Sequence, residues 1–183
     1  MARVLIPLAQ GCEELEAVTI IDLLRRAGIE VITAGLDDQP VKASRGVMLI
    51  PDTTLENALK LDYDLVALPG GLPGADYLNE DPRIQDLIKK MASENKYTAA
   101  ICAAPKVLAS AGLLEGKQAT AFPGTLEKLS LTNTTIKADS VIQDGKIITS
   151  RGPGTAMDFA LTLIENLAGR EKRGQVEAGL QRP

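Results

Sequence analysis

The chain has 183 residues, 45% of them hydrophobic and 24% charged, with 20 Lys and Arg against 24 Asp and Glu for a net charge of −4. This composition suits one globular domain, residues 1–183, and lacks both the basic footprint and, at 3% aromatic residues, the stacking platforms of a nucleic-acid binder. Histidine is absent altogether, which excludes serine–histidine–aspartate triads, cysteine–histidine pairs and histidine-containing metal sites, and two cysteines are too few for a four-thiolate zinc site.

The first apolar run, Arg3 to Ala9, reads as a central strand. It is too short for a signal-peptide core, and no run reaches the roughly 18 apolar residues of a membrane span, so a cytoplasmic location with Cys12 and Cys102 as reduced thiols is expected. Glu13 to Ala27 reads as a helix closed by Gly28. On its wheel Ile20, Ile21, Leu23 and Leu24 share one side, and Glu16 heads that apolar stripe. Two readings of Glu16 follow. A buried carboxyl would keep its proton, with a raised pKa; a carboxylate in the first turn would instead complement the helix dipole or reach solvent. Its apolar company favours burial.

Glu30 to Gly35 forms the second expected strand, followed by a turn at Asp37-Asp38-Gln39-Pro40. Val41 to Ala43 and Val47 to Ile50 read as a hairpin at the sheet edge around Ser44-Arg45-Gly46, with Arg45 a solvated charge at its tip, and Thr54 can cap a short helix over Leu55 to Leu59. Asp64 to Leu68 is a buried strand running into Pro69-Gly70-Gly71. Those glycines either serve a tight turn or aim backbone N–H groups at a ligand; the spacing of a phosphate loop or dinucleotide fingerprint is missing. Pro82 to Asn95 carries Ile84, Leu87, Ile88 and Met91 at helical core spacing.

The strand Thr98 to Ile101 stops at Cys102 and gives way to a helix from about Ala103 to Ala111, with Pro105 in its first turn. This is the pattern of a nucleophile elbow with a thiol in place of a hydroxyl. A helix N-terminus there would favour thiolate, whereas a buried structural cysteine would be inert. Lys117 to Phe122 reads as a further strand, and Ala138 to Gln143 and Lys146 to Ser150 bracket the hairpin signal Asp144-Gly145. Thr155 and Asp158 have capping-box spacing for a helix to about Leu167, and the tail beyond Gly169 is polar, a short helix at most. Alternating strands and helices imply a mainly parallel sheet covered on both faces, with ligands beyond the carboxyl ends of its strands. Gln10 to Glu16, Gly70-Gly71 and Cys102 all fall there.

The segments Gly11 to Val18, Arg25 to Ile29, Leu68 to Gly71, Ala99 to Pro105 and Thr149 to Thr155 resemble the superfamily of Parkinson disease protein 7, ThiJ and PfpI, in order and spacing over nearly the whole chain. Within it the chain looks closest to the branch of the bacterial protein deglycase YajL. The resemblance implies a flavodoxin-like three-layer α/β sandwich and a homodimer. It also implies a reactive Cys102 beside a protonated Glu16 that hydrogen-bonds the thiolate, with the backbone N–H groups of Gly70, Gly71 and Ala103 lining the site. Members are described as glutathione-independent glyoxalases, as protein or nucleotide deglycases, and as oxidative-stress chaperones or sensors. The implied function is cysteine-dependent detoxification of reactive dicarbonyls or of glycated proteins, with no cofactor, metal, membrane or nucleic acid. The alternative is a redox-sensing or chaperone homodimer whose cysteine becomes sulfinic acid. The chain departs from many members in carrying Phe122 where they place a histidine, and Ala103 removes the histidine that a PfpI-type protease needs directly after its cysteine.

Overall fold

Continuously apolar strands need cover on both faces, and a computed structural model describing residues 1–182 shows how they get it. In chain order the elements are β1 (Arg3–Leu8), α1 (Glu14–Arg26), β2 (Glu30–Gly35), β3 (Val41–Lys42), β4 (Met48–Leu49), β5 (Thr53–Thr54), α2 (Leu55–Ala58), β6 (Leu65–Leu68) and α3 (Gly74–Glu80). They continue with α4 (Pro82–Ser93), β7 (Tyr97–Ile101), α5 (Pro105–Ser110), β8 (Gln118–Ala119), β9 (Thr135–Ile136), β10 (Val141–Asp144), β11 (Ile147–Ser150) and α6 (Ala156–Gly179). The main sheet has the order β10-β11-β7-β6-β1-β2-β5, parallel throughout except for the β10–β11 hairpin at one edge.

The two-residue period of the strands divides the core in two. Val4, Ile6, Leu65 and Ala67 face α1 and α6, where Ile20, Leu24, Phe159 and Leu163 complete one apolar layer. Leu5, Val66 and Leu68 face the opposite way, against Ile84 and Ile88 of α4 and Val107 and Leu108 of α5. The result is the expected flavodoxin-like α/β sandwich. Helix α1 ends as its sequence requires, with Gly28 in the left-handed region at φ 76 just beyond it. Thr54 caps α2 by accepting the Asn57 N–H, and Asp81 caps α4 by accepting the Arg83 N–H.

Several local expectations are corrected. The β3–β4 hairpin is a separate two-stranded sheet, and β5 occupies the main-sheet edge instead. β8 is limited to two residues and pairs with β9 in a second small sheet, because the Thr120 N–H leaves the ladder to bond the Thr149 side chain. Helix α5 begins at Pro105 rather than directly after Cys102. Thr155 does not cap α6: its hydroxyl accepts the Gly152 N–H and lies 2.7 Å from the Ser150 hydroxyl. The polar tail is helical to Gly179 after a break at Gly169, where φ is 86 and ψ 168.

Candidate active site

Glu16 lies in the first turn of α1 and is completely buried, which decides between its two readings. The end of β6 holds it from the other side. Gly70 accepts the Glu13 N–H through its carbonyl at 2.9 Å and donates its own N–H to Glu16 Oε2 at 2.8 Å. The second oxygen, Oε1, is buried with no partner in strict hydrogen-bond geometry. Cys102 lies near enough for its thiol to act on this carboxyl as a hydrogen-bonding neighbour.

Cys102 directly follows β7 with φ 63, a left-handed backbone that is uncommon for any residue bearing a side chain. Two cross-chain hydrogen bonds hold it there. Its N–H donates to the Ser150 carbonyl at 2.9 Å, and its own carbonyl accepts the Phe122 N–H at 2.8 Å. Cys102 is buried, with 9% of its residue surface exposed. Gly71 adopts φ 86 and packs so closely that a Cβ would stand 2.3 Å from the Glu13 nitrogen, so glycine is required twice over at that position.

Burial raises the pKa of both acidic groups. It pushes Glu16 up to about 7, against the hydrogen bonds from Cys102 and Gly70. It pushes the Cys102 thiol up to about 12, helped by the charge of the Glu16 carboxylate and opposed by the N–H groups of Gly71 and Ala103. Burial and the Glu16 charge thus work against ionisation of the thiol, and the two backbone N–H groups work for it. Helix α5 starts at Pro105, three residues after the thiol, and the Ala104 N–H is bonded to the Ile101 carbonyl. The pair carries at most one negative charge near neutral pH, and its shared proton is the mobile feature of the site.

Cys102, Glu16, Gly70, Gly71 and Ala103 thus converge as their sequence positions suggest. Cys12 does not take part as a second nucleophile: it is 1% exposed, and burial with the charges of Glu14 and Glu13 pushes its thiol up to about 12. Arg45 is exposed at its hairpin tip, where its N–H bonds the Glu14 carboxylate. Sequence reasoning missed the Ser150 carbonyl, since a main-chain acceptor has no residue-type signature. Among the described residues no group of three or more His, Cys, Asp or Glu side chains is arranged to hold a metal ion.

Residues 2–166 match the DJ-1/PfpI family. The chain is 45% identical over 177 residues to protein DJ-1 homolog A of Arabidopsis thaliana, covering 96% of this chain but only 45% of that relative, so it spans less than half its length. It is 45% identical over 181 residues to the Parkinson disease protein 7 homolog of Danio rerio, covering 97% and 96% of the two chains. Over 171 residues it is 35% identical to the glutathione-independent glyoxalase DJR-1.2 of Caenorhabditis elegans, covering 93% and 90%. The solved structure of Drosophila melanogaster DJ-1beta superposes with a TM-score of 0.93 at 44% identity, covering 100% of this chain and 98% of that one. With likeness in sequence and fold extending over nearly its whole length, the chain belongs to the DJ-1/PfpI family.

Proposed function

We propose that this protein converts reactive 2-oxoaldehydes to hydroxy acids without glutathione, using Cys102 as nucleophile and Glu16 as the group that moves the proton. The observation that carries this reading is the buried Glu16 carboxyl beside the Cys102 thiol, with a pKa near the working pH of a general base. The name of the Caenorhabditis elegans relative, a glutathione-independent glyoxalase, supports it.

For methylglyoxal the atoms balance with water as the only other reactant. Glu16 carboxylate takes the thiol proton as the sulfur bonds to the aldehyde carbon, and returns it to the new oxygen to give a hemithioacetal. The N–H groups of Gly71 and Ala103, which already point toward the sulfur, steady the developing oxyanion. Glu16 then removes the proton from that carbon; delivery of a proton to the neighbouring carbon, with the hydroxyl proton of the first carbon passing to the oxygen of the second, leaves a lactoyl thioester on Cys102. The first carbon is oxidised and the second reduced, so no external redox cofactor is required. Water cleaves the thioester and releases lactate. On a hemiaminal adduct of a protein amine the sulfur would displace the amine from the former aldehyde carbon, with Glu16 passing the thiol proton to the leaving nitrogen; the later steps would be as above, and the outcome is deglycation, the activity implied by the resemblance to YajL.

A homodimer is part of this reading. Leu15 and Val18 are exposed on the outer face of α1, and Val47 and Met48 are exposed on the adjoining hairpin, tied to it through Glu14. A cytoplasmic location, where both thiols stay reduced, completes it.

The test is lactate formation from methylglyoxal by purified protein and by Cys102→Ser. Turnover that vanishes in the variant is expected; equal rates end the enzymatic reading. Absent turnover together with selective oxidation of Cys102 by peroxide would instead favour a sensor whose cysteine becomes sulfinic acid.

A further inference from the structure

We propose that Phe122 is the specificity-determining residue of the Cys102 site, its ring receiving a flat, apolar substituent of the carbonyl compound that Cys102 attacks. This rests on the reading of Cys102 as the nucleophile.

The chain has two phenylalanines, and they are used in opposite ways. Phe159 is fully buried in the core, whereas Phe122 is 50% exposed. The exposed residue is nevertheless held at its backbone. Its main chain is tied to the nucleophile, with the N–H donating to the Cys102 carbonyl at 2.8 Å, and its own carbonyl accepts the Thr125 N–H at 3.0 Å to close the turn beneath it. The ring rests on Gly152, where a Cβ would come within 3.3 Å of its Cδ2 atom. Gly152 has an extended backbone at φ 172, so the feature that a side chain there would disturb is the ring.

The backbone bond puts Phe122 next to the nucleophile, and the sheet order shows what lies on either side. Cys102 follows β7, which lies between β11 and β6. Ser150, the last residue of β11, holds the Cys102 N–H and Gly152, two residues on, supports the ring, so the thiol's backbone and the aromatic share one supporting segment. Beyond β6, Leu72 follows Gly70 and Gly71 and is 60% exposed. Exposed apolar residues therefore stand on the segments that adjoin the nucleophile from both sides.

Glyoxal carries only hydrogen beyond its carbonyls and gains nothing from such a rim. Methylglyoxal offers a methyl group, and phenylglyoxal offers a ring that can stack against Phe122. One aromatic contact of this kind corresponds to about a three- to tenfold preference in kcat/KM.

The experiment compares kcat/KM for phenylglyoxal and glyoxal in wild type, Phe122→Ala and Phe122→Leu, read as the ratio of the two substrates so that any common loss cancels. The expected result is a ratio that falls three- to tenfold in Phe122→Ala and less in Phe122→Leu. In parallel, the rates of Cys102 alkylation by phenacyl bromide and iodoacetamide are compared by mass spectrometry, an arm that needs no turnover. If wild type turns over neither aldehyde, the glyoxalase reading falls and the alkylation ratio alone decides: a drop in Phe122→Ala upholds the inference. An unchanged phenyl preference in Phe122→Ala overturns it.

Discussion

Glu16 and Cys102 meet across Gly70: a Cβ at that glycine would stand 2.8 Å from Glu16 Oε2 and 2.6 Å from the Cys102 Cβ. Gly70 is not in the left-handed region, so its missing side chain serves this approach and not the backbone. Gly70→Ala therefore wedges the pair apart and overpacks the core, with an expected loss of about 1–3 kcal/mol in stability. Methylglyoxal turnover should fall at least tenfold, about the effect of misplacing one proton-transfer group. Urea unfolding and a lactate assay read the two effects, and wild-type turnover in a folded Gly70→Ala would show that the contact is not needed.

The Glu16 charge works against ionisation of Cys102 and for its catalysis, so Glu16→Gln should separate the two. Without the carboxylate, one of the influences holding the thiol near 12 is gone, and the pH profile of Cys102 alkylation should move to lower pH. Turnover should nevertheless drop about a hundredfold or more, because glutamine cannot carry the proton. A variant that alkylates like wild type and also turns over like wild type contradicts both roles.

The same pair makes stability depend on pH. Folding raises the Glu16 pKa from 4.5 to about 7. A raised pKa favours the folded state fully below the unfolded value, and that stability is lost as pH rises through the folded value. Between pH 4.5 and 8 wild type should therefore lose about 3 kcal/mol relative to Glu16→Gln. The thiols shift upward from 9.0, so their linkage lies at higher pH and does not enter this window. Parallel urea titrations of the two proteins measure the difference, and curves that stay parallel across the window would place Glu16 in a solvated environment.

Much of this site can be read from residue patterns because its parts depend on side-chain periodicity. Glu16 is found by its place on the apolar stripe of α1, and Cys102 by a strand that stops at it. Gly70 and Gly71 announce themselves as paired glycines after an apolar strand. Helix α3 has no such signal, since only Gly74, Ala75 and Leu78 of its seven residues are buried and its glycine start lacks a side-chain cap. β9 is two residues within a polar stretch, held by pairing to β8 rather than by any pattern of its own. Thr155 and Asp158 match the spacing of a capping box, yet the hydroxyl has nearer partners in Gly152 and Ser150. Tertiary geometry outcompetes the local motif there.

The two cysteines should differ sharply toward thiol reagents. Cys102 is 9% exposed with a donor-lined approach, whereas Cys12 is 1% exposed and surrounded by Glu13, Glu14 and Glu16 charge. Native protein should incorporate one equivalent of iodoacetamide, with a second only after unfolding. Cys102→Ser should abolish the native label. Labelling of Cys12 in the folded state would show that the loop before α1 opens.

Thr155 tests whether the strained nucleophile depends on a polar strap behind it. Its hydroxyl accepts the Gly152 N–H at 3.1 Å and can donate to the Gly152 carbonyl at 2.9 Å or the Ser150 hydroxyl at 2.7 Å. The Ser150 hydroxyl in turn donates to the Ser140 carbonyl at 2.8 Å, and the Ser150 carbonyl accepts the Cys102 N–H. Thr155→Val keeps the shape but leaves the Gly152 N–H, in a buried residue, without its partner, at an expected cost of about 1–3 kcal/mol. Loosening Ser150 should also relax Cys102 from its left-handed conformation and lower turnover, while Thr155→Ser, which keeps the hydroxyl, should restore both stability and rate. A Thr155→Val protein as stable and as active as wild type would mean that β7 and the turn at Phe122 hold Cys102 without the strap.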